Sequence, residues 1–144
     1  MKKIIWALLG LTLAGCAGFA YLFFKQPVAA PPSDIRVEST PARLARGEYL
    51  FEVVADCGGC HSERDFSRLA GPVVPGRNGS GAIFPKDLGL PGEITAPNLT
   101  PDPETGLGKW TDGEKIRAIR EGVSKDGRAL FPFMPYQAYR QMSD

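Results

Sequence analysis

Cys57-Gly58-Gly59-Cys60-His61 brings two thiols and an imidazole within five residues. That C-x-x-C-H order suits covalent haem: the thiols reach the two vinyl groups on one porphyrin edge, and the histidine that follows is held beneath the iron. His61 is the chain's only histidine, and it stands where this chemistry needs one. Other uses of the motif fit its surroundings less well. A thioredoxin-like redox pair calls for a strand and a βαβ pattern around the cysteines, whereas residues 42–55 read as helix. A structural zinc site takes four ligands, and the remaining cysteine, Cys16, lies in an apolar N-terminal run. A Cys57–Cys60 disulfide would close too short a loop to remove much chain entropy.

A six-coordinate haem iron needs a second axial ligand; with one histidine in the chain, methionine is the obvious candidate. Met1 is remote, which leaves Met134 and Met142. Met134 is the better candidate, because Pro132 and Pro135 flank it and their fixed φ angles hold a loop in one shape.

The elements that must position these groups follow from the rest of the sequence. Lys2 and Lys3 precede Ile4 to Phe24, twenty-one residues without a charge, and Lys25 closes the run. As a helix it would span ~32 Å, enough for the hydrocarbon core of a bilayer. Residues 1–25 therefore read as a signal or membrane anchor, with residues 4–24 in the membrane and the remainder exported. Two other fates compete: Leu13-Ala14-Gly15-Cys16 resembles a lipobox that would lipidate Cys16, and Val28-Ala29-Ala30 offers a cleavage site that would free a soluble product. Residues 26–41, with Pro27, Pro31, Pro32 and Pro41, read as a linker, and residues 42–144 as one small domain. A formal charge of +1 provides no basic stripe for nucleic acid.

Within that domain Ala42 to Ala55 shows mostly helical apolar spacing and feeds into the cysteine motif; Gly47 in its middle suggests close approach by another backbone. Gly71 to Gly108 holds eight glycines and seven prolines, a composition that opposes regular structure. Loops of this kind can wrap a flat apolar cofactor, anchored here by Ile83, Phe84, Leu88, Leu90, Ile94 and Leu99. Thr111-Asp112-Gly113-Glu114 is a capping box that predicts a helix start. Ile116, Ala118, Ile119 and Val123 would line its buried side, Lys115, Arg117 and Arg120 its wet side, and Gly122 its end. Ser124 to Arg128 reads as a turn.

Residues 42–144 resemble a class I cytochrome c domain. The run from Ala96-Pro97-Asn98-Leu99-Thr100-Pro101 through Trp110-Thr111-Asp112, with Arg120-Glu121-Gly122-Val123, Asp126-Gly127-Arg128 and Met134-Pro135-Tyr136, resembles cytochrome c subunits of membrane-bound bacterial alcohol and aldehyde dehydrogenases. The resemblance implies an all-α cytochrome c fold, with short helices and long loops around one covalently bound haem c, preceded by an apolar helix. It implies that Cys57 and Cys60 bind the haem, that His61 and Met134 are axial ligands with Met142 as runner-up, and that Trp110 packs at the haem rim. It implies an electron carrier rather than an enzyme, facing the bacterial periplasm from the inner membrane. Single electrons would pass from a periplasmic dehydrogenase or other donor to a respiratory acceptor such as a terminal oxidase. A haem peroxidase or haem-based ligand sensor is the alternative. Members of the family continue into a C-terminal helix where this sequence has Ser143-Asp144, which read as a helix N-cap, so the chain is expected to be an N-terminal fragment.

Overall fold

The computed structural model describes residues 2–84, 86–89 and 92–143. Met1, Leu90 and Asp144, to which the sequence assigned roles, lie outside the described residues, as does the Leu88 side chain. The described chain is helical with two very short strands. It divides into two compact units, one of residues 33–115 and one of residues 1–32 with 116–144.

Helix α1 (Lys2–Phe24) is apolar along its length, with a mean hydropathy of 1.9, and is long and apolar enough to cross a membrane. In the other unit, α2 (Pro41–Tyr49) opens on Thr40, whose hydroxyl accepts from the Arg43 N–H at 3.3 Å, and Pro41 takes the first helical position. The expected single helix over residues 42–55 changes character at Leu50. Residues Leu50–Val54 form a π turn closed by the Ala55 N–H on the Leu50 carbonyl at 2.9 Å, a bulge of the kind often found beside functional sites. Asp56 follows in the left-handed region, at φ 45°, and reverses the chain into α3 (Cys57–His61). Gly47 meets no atom within 4 Å of an added Cβ, so the close approach expected there is not found among the described residues.

The glycine- and proline-rich stretch is more ordered than its composition suggests. Strands β1 (Ala82–Ile83) and β2 (Thr95–Ala96) pair antiparallel, with Ala82 opposite Ala96. Gly81, at φ +87°, makes the approach possible, since a Cβ there would stand 2.9 Å from the Ala96 carbonyl oxygen. Further on, Asn98 and Asp102 knot the loop with their side chains. Asn98 Oδ1 accepts from the Thr100 N–H at 2.9 Å, and Asp102 Oδ1 from the Thr105 N–H at 2.7 Å. The bonds from Thr105, followed by the Glu104 N–H, hold the Asp102 carboxyl below the usual range.

Helix α4 (Asp112–Glu121) begins as the capping box requires: the Thr111 N–H donates to Glu114 Oε2 at 2.8 Å and the Glu114 N–H to Thr111 Oγ1 at 3.2 Å. Gly122, at φ +66°, ends it. The start of α4 also holds part of the segment read as linker. The Val37 N–H donates to Asp112 Oδ2 at 2.9 Å, and Ser33 lies against Gly113, where a Cβ would come within 1.9 Å of the Ser33 carbonyl oxygen. Residues 33–37 thus form an arm laid on the helix start.

In the unit containing residues 116–144, Val123 is buried at 4% exposure, while Ile119, expected beside it, is 46% exposed. Val123 lies beyond the helix end at Glu121, so it does not share a helix face with Ile119 as the spacing suggested. Arg117, expected in water, is half-buried and donates through Nη2 to the Ser124 carbonyl at 2.7 Å, tying the helix to the Ser124–Arg128 turn. That turn is closed by the Ser124 N–H on the Arg128 carbonyl at 2.9 Å. Beyond it lies α5 (Tyr136–Tyr139).

Candidate haem-binding site

The single turn of α3 carries Cys57, Cys60 and His61 together, with neither cysteine in a disulfide. Gly58 is buried beneath this turn: a Cβ there would meet Asn78 Oδ1 and Glu52 Oε2 at 3.3 Å and the Phe51 ring at 3.4 Å. The π turn that presents Glu52 and Phe51 therefore packs directly on the cysteine turn.

His61 is buried, at 9% exposure, and its Nδ1 lies 2.8 Å from the Pro97 carbonyl oxygen. A carbonyl only accepts, so Nδ1 carries the proton and the lone pair is on Nε2, the tautomer a metal-binding imidazole needs. The backbone is fixed as well: the Gly81 N–H donates to the His61 carbonyl at 2.8 Å. Burial, and then the Asp56 charge, raise the Cys60 thiol; burial is also the largest cause raising Cys57. Such thiols stay protonated near neutral pH, unlike the lowered thiol of a disulfide exchanger.

These residues fit a covalently held haem. The donor set is two free thiols and one buried imidazole with its tautomer fixed by a carbonyl. The unit also buries little of its own apolar surface: among the described residues Ala96 is its buried hydrophobic residue, whereas Leu44, Val53, Val54, Phe66, Leu69 and Ile83 are exposed. A large flat apolar group supplies core that such a unit does not build from side chains.

Trp110 belongs to the same unit, is half-buried, and its backbone N–H donates to the Leu107 carbonyl at 3.0 Å. Met134 and Met142 belong to the other unit. Met134 is half-buried in a tight loop, its N–H on the Phe131 carbonyl at 3.2 Å and its carbonyl taking the Tyr136 N–H at 2.8 Å; Met142 is 36% exposed. Sequence reasoning missed Pro97, Ser62, Asn78 and Glu52. Pro97 acts through its backbone, which leaves no trace in residue type, and the other three are ordinary polar residues until the fold assembles them.

Comparison with known proteins gives this site its class. The chain is 32% identical over 130 residues to a diheme cytochrome c-type protein of Cereibacter sphaeroides, a match covering 90% of the chain and 40% of that protein. It is 35% identical to the gluconate 2-dehydrogenase cytochrome c subunit of Pantoea cypripedii and 36% identical to the fructose dehydrogenase cytochrome subunit of Gluconobacter japonicus, each over 74% of the chain and 21% of the relative. No family model matches the chain. It spans between 8% and 40% of the length of the curated relatives it matches. The class is that of c-type cytochromes. Within it, the chain is a homologue of the cytochrome c subunits of bacterial dehydrogenases.

Proposed function

We propose that this chain is the electron-carrying part of a c-type cytochrome, with one haem c bonded to Cys57 and Cys60 and with His61 and Met134 as its axial ligands. The observation that carries this reading is His61: it directly follows Cys60, is buried, and has Nδ1 committed to the Pro97 carbonyl so that Nε2 is free to bind iron. Bound haem c supplies a one-electron Fe(II)/Fe(III) couple. The protein's part is to hold the group and leave its iron with filled axial positions. Cys57 and Cys60 fix one porphyrin edge, the carbonyl of Pro97 orients the imidazole, and the Pro-flanked loop presents the Met134 thioether. Trp110 packs at the rim. No substrate is transformed. Residues 26–41 are the linker and 42–144 the cytochrome domain.

The names of the relatives support a dehydrogenase as electron donor, and the apolar length of α1 supports an anchor or export signal. The domain would then work on the periplasmic side of the inner membrane and pass electrons to a respiratory acceptor such as a terminal oxidase. Expression with a haem-attachment system tests this. Stoichiometric pyridine haemochrome and a low-spin spectrum with a weak far-red iron–sulfur band are expected. A high-spin iron that binds cyanide avidly would favour a peroxidase or ligand sensor, and absence of haem would overturn the reading.

A further inference from the structure

The axial histidine is followed by Ser62, a polar side chain only 1% exposed. Its Oγ donates to Asn78 Oδ1 at 2.9 Å and accepts from the Gly79 N–H at 3.0 Å. Asn78 Nδ2 in turn donates to Glu52 Oε1, on the π turn. Every donor in this chain is fixed by its neighbour. A carboxylate only accepts, so Asn78 must present Nδ2 to Glu52 and Oδ1 to Ser62; Ser62 must then donate its proton, leaving its oxygen for the Gly79 N–H.

The same segment holds His61. The Gly81 N–H donates to the His61 carbonyl at 2.8 Å, and the Gly79 carbonyl accepts from the Leu99 N–H at 2.7 Å. Residues 78–81 are therefore pinned on one side by Ser62 and His61 and on the other by Leu99, two residues after Pro97. The 2.8 Å bond from His61 Nδ1 to the Pro97 carbonyl closes the loop. Gly58 completes the arrangement, because a Cβ there would stand 3.3 Å from both Asn78 Oδ1 and Glu52 Oε2.

We propose that Glu52, Asn78 and Ser62 are positioning residues that set the strength of the His61–Pro97 hydrogen bond, and through it the electron donation of His61 to a bound haem iron. The inference rests on the haem reading above. A stronger Nδ1–H···O bond makes the imidazole a better donor and favours oxidised iron, so loosening the bond raises the reduction potential.

The test uses the haem-loaded full chain. Exchange of the His61 Nδ1 proton with deuterated solvent is followed by NMR in the reduced state. Asn78→Asp sets two carboxylates against each other, and Ser62→Ala removes the central link without changing charge. Both are expected to speed exchange about tenfold, the equivalent of one hydrogen bond lost, and Ser62→Ala to raise the midpoint potential. Glu52→Gln combined with Asn78→Asp restores a donor facing an acceptor at the wild-type net charge, and exchange is expected to return to within about twofold of wild type. Exchange that ignores Ser62→Ala and Asn78→Asp, or a double variant as fast as Asn78→Asp, overturns the inference. Should Asn78→Asp load no haem, loading becomes the readout: recovery in the double variant supports the proposal and continued loss overturns it. A wild-type chain without covalent haem overturns the proposed function itself, an outcome distinct from a loaded wild type whose variants exchange normally.

Discussion

Replacing Gly113 by alanine separates the contribution of α4 from that of the arm laid across its start. The added Cβ would stand 1.9 Å from the Ser33 carbonyl oxygen, with the Ser33 N and C atoms at 2.9 Å. Ordinary contact begins near 3.4 Å, so the arm must retreat by ~1.5 Å. A retreat of that size breaks the 2.9 Å bond from the Val37 N–H to Asp112 Oδ2. Such a bond to a partly exposed carboxylate is worth about 1 kcal/mol, and the lost Ser33 contact adds roughly a few tenths more. The helix gains about 0.5–1 kcal/mol from alanine in place of glycine. Global stability therefore changes by about 1 kcal/mol or less, while the arm opens roughly tenfold more often. Arg36 lies exposed within the arm, and cleavage at a transiently opened segment follows the population of its open form. Trypsin should cut after Arg36 about tenfold faster in Gly113→Ala. A cleavage rate equal to wild type would show that the arm is not held at Gly113 and would refute the reasoning.

Gly47→Ala is the matching control: open space surrounds that position, so a gain of about 0.5–1 kcal/mol in denaturant titration is expected, with no change at Arg36. Gly106→Ala goes the other way, since its Cβ would fall 2.2 Å from the Thr100 carbonyl oxygen; a loss of about 1–3 kcal/mol should appear in thermal unfolding followed by Trp110 fluorescence. Bonding from the Val37 N–H, then Lys115, lowers the Asp112 pKa on folding. The stabilisation is thus present above the unfolded value near pH 4 and fades as pH falls through the lower folded value. Hydrogen exchange at Val37 should show protection above about pH 4 that disappears in stronger acid. Met134→Ala should abolish the far-red iron–sulfur band and lower the reduction potential; the same result from Met142→Ala would reassign the ligand.

The elements readable from sequence are those whose side chains do the work locally. The capping box of Thr111 and Glu114 satisfies amides three residues away, so its pattern is complete within four letters. Cys57, Cys60 and His61 share one turn for the same reason. Backbone groups and long-range packing were not legible. The π turn at Leu50–Val54 adds one residue to a run whose apolar spacing suits an α-helix almost as well. Pro97 serves through its carbonyl, and any residue has one. Ser33 and Val37 look like linker because nothing in their own composition reveals that Gly113 has left room for them. Gly47 suggests a close approach by another backbone, and no described residue comes within 4 Å of a Cβ placed there.

The arm on α4 also sets a length. With residues 33–37 secured on α4, the chain between the end of α1 and the arm is residues 25–32, eight residues that extend to ~28 Å at most. The whole of 26–41, left loose, would reach about twice as far. On the function proposed above, with α1 in the bilayer, this tether would set how far from the membrane a redox partner could be met. Releasing the arm would roughly double that tether without altering Cys57, Cys60 or His61.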